Sequence, residues 1–324
     1  MKKTILLAVS LLALAGLAAC TTDDLEADII TTMFPQYDFT RQIVGDEMTV
    51  RMLVPPGAEI HGFEASSRDI ESIVNAKLFI YTSDEIDSWI AGASSIAQSD
   101  VMVLDLSEHV IDVPHDHDHD DHDHETYVSG NLADDHDDHD HADDVHYWTD
   151  PLVAVTMIET ILDAVISIDP DNEALYTENA HAHIDAIMDA HVGFDTFIQS
   201  LVSPAELHFA GHNAMGMFAS RYHLEIHALF DDFKPDADLT SAELLSFVET
   251  VKTAGVHHLF IEELAEPKAA NAIQAELARQ EYTLELLELH GYHNVTKDEF
   301  DQGVTYLDLF QRNITNITSV LDAS

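Results

Sequence analysis

From His115 to His146 the chain reads HDHDHDDHDHETYVSGNLADDHDDHDHADDVH, nine histidines among aspartates without one lysine or arginine. Imidazole nitrogens beside carboxylates are ligands for Zn(II) and similar borderline ions. His115, His117, His119, His122, His124, His136, His139 and His141 therefore read as an auxiliary metal-collecting tract. The tract has too few apolar residues to offset the entropy of ordering, and its like charges repel, so a disordered insertion is expected. Four other histidines stand apart: His61 in VPPGAEIHGFE, His146 in DVHYWTDP, His212 in FAGHNA and His293 in HGYHN. One histidine in such a place is usually an ordinary surface or core residue. Four at comparable strand-to-helix transitions make the better candidate for a tight metal site.

The elements that would position them follow from periodicity. Ile29 to Phe34, Met48 to Val54, Leu78 to Tyr81 and Val101 to Leu104 read as strands, with helical spacing at Tyr37 to Val44, Ser67 to Ala76 and Glu85 to Ala97. A helix is expected from Pro151 to Ile166, then a long one from Asn172 to Leu201, which at 1.5 Å per residue would extend roughly 45 Å. Alternation then resumes, with strands at Leu207 to Ala210, Leu224 to Phe230, His258 to Ile261 and Tyr282 to Leu289. Helices lie near Ala214 to Ser220, Ser241 to Thr253, Pro267 to Arg279 and Thr305 to Leu321. The expected fold is α/β: two open lobes with mainly parallel sheets (28–170, carrying the loop 112–144, and 204–324), joined by one long helix (171–203). Ligands in such sheets bind beyond the carboxyl ends of the strands, here in the cleft between the lobes.

MKKTILLAVSLLALAGLAAC opens the chain with two lysines, a short apolar run and a small-residue stretch ending in the only cysteine, the pattern of an export signal over residues 1–19. Leu17-Ala18-Ala19-Cys20 resembles the lipobox of prokaryotic lipoproteins, which implies lipidation at Cys20 and a tether over 20–27. No later run reads as a membrane span, so anchoring to the outer face of the membrane by lipid alone is expected. The net charge of −48, with fourteen acidic groups in residues 112–144, excludes nucleic acid as a partner and suits cations or a high-salt surrounding.

PPGAEIHGFEAS, VHYWTDP, AGHNAMGMFASRYHLE and the closing run from His293 through Gly303-Val304-Thr305-Tyr306 to Asn313 resemble, in order, the motifs of the substrate-binding proteins of zinc and manganese ABC importers. The resemblance covers nearly the whole chain after the leader. It implies a monomeric extracytoplasmic receptor that hands its metal to a membrane permease driven by a cytoplasmic ATPase. Carried over by position, His61, His146 and His212 match the ligand histidines and His293 the fourth position, for which Glu59, Glu288, His290 or a water are alternatives. Three or four imidazoles suit Zn(II), whereas two histidines with two carboxylates would suit manganese. No His-Glu-x-x-His, Gly-x-Ser-x-Gly or phosphate-binding glycine loop is present, so a carrier is expected rather than an enzyme. A zinc hydrolase with scattered ligands, and a zinc-buffering or adhesin-type lipoprotein without a transporter, are the competing readings. Asn294, Asn313 and Asn316 head Asn-x-Thr sequons and are expected to be bare.

Overall fold

The computed structural model describes residues 26–60, 62–110, 146–203, 205–211, 214–228 and 238–322. The leader with Cys20, the tract from His115 to His141, His61 and His212 lie outside the described residues. Four strands, β1 (Ile29–Thr31), β2 (Val50–Met52), β3 (Leu78–Tyr81) and β4 (Met102–Asp105), form a parallel sheet in the order β2-β1-β3-β4. A second parallel sheet of β5 (Ala205–Ala210), β6 (Leu224–Ala228), β7 (His258–Ile261) and β8 (Glu285–Glu288) repeats it as β6-β5-β7-β8. Each sheet thus reverses its winding between its first and third strands, the point where an open α/β sheet leaves a crevice at its carboxyl edge.

The helices are α1 (Phe34–Val44), α2 (Ser67–Asn75), α3 (Ser107–Val110), α4 (Pro151–Ile168), α5 (Glu173–Ser200), α6 (Gly216–Arg221), α7 (Ser241–Ala254), α8 (Lys268–Arg279), α9 (Lys297–Gln302) and α10 (Tyr306–Leu321). Alternation along the strands sorts the side chains into layers. Ile30 and Phe79 face outward against Ile73 of α2, whereas Ile29, Leu78 and Ile80 face inward. In the second sheet Leu259 packs outward with Val248 and Val251 of α7 and Ile273 and Leu277 of α8, while Leu207, Phe209 and Phe260 face inward. The inner faces share one continuous core with α1, α4, α5 and α10. Each fully buried large apolar side chain there contributes about 1.5–3 kcal/mol relative to exposure.

Three expectations shift. Strand β1 stops at Thr31 and α1 begins at Phe34, three residues before Tyr37, because Pro35 is pre-set for a first helical turn and Met33 N–H donates to Gln36 Oε1 at 2.7 Å. The helix expected from Glu85 to Ala97 is a 3-10 segment, Ser88–Gly92, set among turns. Its approach is fixed by Asp87, whose buried carboxylate accepts from Thr82 N–H at 2.8 Å and the Thr32 hydroxyl at 3.3 Å. Helix α4 is long and apolar enough to cross a membrane, contrary to the reading that no later segment is, but half of it is buried against the rest of the protein, as befits a core helix. The long helix is confirmed at 28 residues, about 42 Å.

Candidate metal centre

The described stretches beside His61 and His212 and the turn that carries His146 meet at the connector between β8 and α9, which carries His293. That connector, Leu289 to Val295, is short and held at its far end by a capping box, in which Thr296 Oγ1 accepts from Glu299 N–H while Glu299 Oε2 accepts from Thr296 N–H. The stretch preceding His61 is stapled to it: Asn294 Nδ2 donates to the carbonyls of Pro55 (2.9 Å) and Ala58 (2.7 Å), and Gly57 N–H donates to Val295 O at 2.7 Å. The turn carrying His146 is tied to it by Trp148, fully buried, whose indole N–H donates to Gly291 O at 2.8 Å. The stretch following His212 reaches it at Ala214, whose Cβ lies 3.4 Å from where a side chain on Gly291 would begin. Three of the four segments leave the carboxyl ends of strands β2, β5 and β8, which come from both sheets.

The histidine-bearing turn is pinned three more times. Tyr147 OH donates to Thr82 O at 2.6 Å, Tyr306 OH donates to Trp148 O at 3.0 Å, and the Thr149 hydroxyl donates back to His146 O at 2.9 Å. His146 is buried and sets its ring edge-on to Trp148, with centroids 5.4 Å apart. Just beyond, Asp150 caps α4 by accepting from Leu152 N–H and pairs with Arg221 of α6, its Oδ2 lying 2.9 Å from Nε. The turn bearing His146 and the connector bearing His293 are thus on backbone that side chains distant in sequence hold in place.

Of the sequence candidates, His146 and His293 are described and sit on neighbouring segments of this hub, and His293 is mostly buried at 20 % side-chain exposure. Glu59 is exposed and accepts from Gly62 N–H. Glu288 is paired with Arg312 at 3.0 Å on the strand itself. His290 is buried, and its Nδ1 accepts the Tyr292 N–H at 2.9 Å, which leaves its proton on Nε2 and no ring lone pair for a metal. Among the described residues no group of three or more metal-binding side chains is assembled; His61 and His212 lie outside them.

One buried acid at the hub escaped the sequence reading. Glu263 follows β7 at its carboxyl end, with a side chain only 4 % exposed; its Oε1 accepts from Gly291 N–H at 3.0 Å and lies 3.0 Å from His293 Nδ1. The usable signal was topological: an acidic pair, Glu262-Glu263, placed immediately after a strand at the edge where ligands bind. The sequons are also resolved in part. Asn294 and Asn313 are fully buried with their amides engaged, so no glycan could be attached to either in this fold.

Burial lowers the His290 pKa to about 4, despite the nearby Glu263 carboxylate, which acts in the opposite direction. Unfolding restores a value near ~6.5. The stabilisation from a neutral His290 is therefore complete above pH ~6.5 and is lost as pH falls towards 4, by up to about 3 kcal/mol. His183, His191 and His208 are shifted in the same direction by burial. Thermal unfolding of the zinc-free protein should thus show melting temperature falling between pH 6.5 and 4, with a shallower fall in His290→Asn, whose amide oxygen can still accept from Tyr292 N–H. An equal slope in both proteins would remove His290 as the cause.

The model of the family described as zinc-uptake complex component A, periplasmic (ZnuA), matches residues 29–320. The chain belongs to this family. It is 29 % identical over 294 residues to the high-affinity zinc uptake system protein ZnuA of Bacillus subtilis, covering 88 % of this chain and 85 % of that protein. It is 26 % identical over 327 residues to the zinc-binding lipoprotein AdcA of Streptococcus pneumoniae (strain ATCC BAA-255 / R6), covering 99 % of this chain but only 62 % of AdcA. Among solved structures the Zn(II)-bound ZnuA-like domain of Streptococcus pneumoniae AdcA shares the fold, with a TM-score of 0.72 at 21 % identity over 92 % of this chain and 99 % of the domain. The metal-dependent lipoprotein YcdH of Bacillus subtilis has a TM-score of 0.71 at 26 % identity, over 91 % of this chain and 97 % of YcdH. ZnuA-family proteins are substrate-binding receptors of an uptake complex and not an enzyme family, and they act outside the cytoplasm.

Proposed function

We propose that this ZnuA-family chain captures Zn(II) between its two lobes, 28–170 and 204–324 with 171–203 between them, and delivers it to an ABC permease driven by a separate ATPase. The single observation that carries this reading is the convergence of all four histidine-bearing segments on Gly291 to Val295, at the carboxyl edges of both sheets. His61, His146, His212 and His293 are the proposed ligands, with Glu59, Glu288 and His290 left outside the coordination sphere. Four imidazoles form a closed tetrahedral set suited to zinc and leave no open position for an activated water, so the protein carries its metal without catalysis. Lipidation at Cys20 would hold a monomeric receptor at the membrane surface within reach of the permease.

The ligand rings must be neutral to bind, so zinc affinity falls as pH drops through ~6.5. The tract from His115 to His141 is a separate, weaker collector in this reading. Deleting residues 115–141 is expected to leave the tight-site affinity within about twofold while lowering the number of zinc ions bound per chain, measured by calorimetry and metal analysis over pH 5 to 7.5. Loss of the tight site on deletion, or equal affinity at pH 5 and 7.5, would overturn the four-histidine assignment.

A further inference from the structure

Glu263 is a buried carboxylate whose ionic partners among the described residues are both histidines. Its Oε1 lies 3.0 Å from His293 Nδ1 and 3.7 Å from His290 Nδ1, and no lysine or arginine is paired with it among those residues. A carboxylate taken out of water needs a strong donor or a positive charge nearby. His290 offers neither, because its facing Nδ1 is the acceptor of the Tyr292 N–H. Beyond the Gly291 N–H, a neutral donor to Oε1 at 3.0 Å, His293 is the side chain left to answer it. The surrounding backbone is bent to allow the meeting. Leu264, directly after Glu263, and Tyr292, directly before His293, both hold left-handed conformations, with φ of 60° and 63°, that bulky residues rarely adopt. Position 291 is a glycine where a Cβ would lie 3.1 Å from both Glu263 Oε1 and His293 Nδ1.

We propose that Glu263 is the positioning residue of the zinc site: it accepts the Nδ1–H of His293, so that Nε2 keeps its lone pair for the metal. The inference rests on the reading of His293 as the fourth ligand. At 3.0 Å the two atoms stand within hydrogen-bond distance. The arrangement also answers a charge problem. Four neutral imidazoles leave a zinc ion with its full double charge in a partly buried cleft, and a carboxylate behind one of them cancels part of it while raising that ring's basicity. A fourth ligand that is itself a carboxylate would bring the charge directly; here it stands one residue back.

The test uses the full chain, with zinc affinity measured by competition against a chromogenic chelator and the site geometry read from the visible absorption of the Co(II)-substituted protein. Glu263→Ala is expected to weaken zinc by roughly 10- to 100-fold, and Glu263→Gln, which keeps an acceptor without the charge, by less. The Co(II) band should keep its tetrahedral intensity in both, because the four ligands remain. In a His293→Ala background Glu263→Ala should have little further effect, a non-additivity that a merely structural role would not produce. Unchanged affinity in both single variants, full additivity with His293→Ala, or a Co(II) spectrum that shows a lost ligand would overturn the proposal, the last by making Glu263 a ligand itself. If Glu263→Ala does not fold, the near-isosteric Glu263→Gln and its cycle with His293→Ala decide alone. Zinc affinity that survives His293→Ala would instead overturn the fourth-ligand reading, and the positioning role with it.

Discussion

Alanine at His146 or at His293 is expected to weaken zinc binding by roughly two to three orders of magnitude. The figure follows from the scale of four-ligand zinc sites, about 10–16 kcal/mol in total and hence about 2.5–4 kcal/mol per ligand, at ~1.4 kcal/mol for each tenfold. Both side chains sit on backbone fixed from elsewhere: His146 by Trp148, Tyr147 and Thr149, and His293 between the Asn294 staple and Gly291. Neither substitution removes one of these hydrogen bonds, so His146→Ala should change folding little while affinity collapses, whereas His293→Ala also takes from the buried Glu263 its nearest histidine and should cost stability as well. Calorimetric titration of zinc into each variant, beside thermal unfolding of the zinc-free forms, separates the two effects. Wild-type affinity in either variant would exclude that histidine from the site.

Asp150→Ala should be the most damaging single change to the fold itself. Asp150 is fully buried and serves two partners at once: it caps α4 through Leu152 N–H at 2.8 Å and accepts from Arg221 Nε at 3.1 and 2.9 Å, with Arg221 Nη2 at 2.8 Å from Oδ2. Arg221 is itself only 11 % exposed in its side chain, so truncating the acid strands a guanidinium inside the protein. Breaking a buried pair from one side costs about 3–5 kcal/mol, and losing the cap adds ~1 kcal/mol. Removing both charges, as in Asp150→Ala with Arg221→Met, should recover a large part of that loss, since an apolar replacement no longer leaves an unpaired charge. Chemical denaturation of the single and double variants measures it; a double variant as unstable as the sum of its parts would mean that the pair is not coupled. Because Arg221 belongs to α6 and Asp150 opens α4, the same cycle reports how strongly these two helices are coupled.

Much of this architecture was legible in the residues. The switch from two-residue to helical periodicity marked every strand of both sheets, and β3 and β7 were placed to the residue at Leu78–Tyr81 and His258–Ile261. Long-range pairing decided what local pattern did not. The apolar spacing from Glu85 to Ala97 suits a helix, but the demand of the buried Asp87 carboxylate for donors from Thr82 and Thr32 turns the chain before one can form. Short α9 went unread because its six residues, Lys297–Gln302, carry no buried face; it exists through its capping box and through Gly303, whose φ of 75° suits a glycine that closes a helix.

The candidate site divides in the same way. Residue types and spacing alone identified metal as the subject and separated four isolated histidines from a tract of many, because ligand chemistry is a property of side chains and survives without coordinates. Which acids matter was not legible. Glu59, Glu288 and Glu263 are equal candidates in one dimension, yet Glu288 is drawn to Arg312 and Glu59, exposed, to the Gly62 N–H, while Glu263 is folded in against Gly291 and His293. The carbonyls that accept from the Asn294 amide lie more than 230 residues away in sequence, and the one that accepts from the Trp148 indole more than 140. No local pattern encodes such contacts. They arise only when two sheets of the same winding bring their carboxyl edges together, and burial then determines which polar groups must pair.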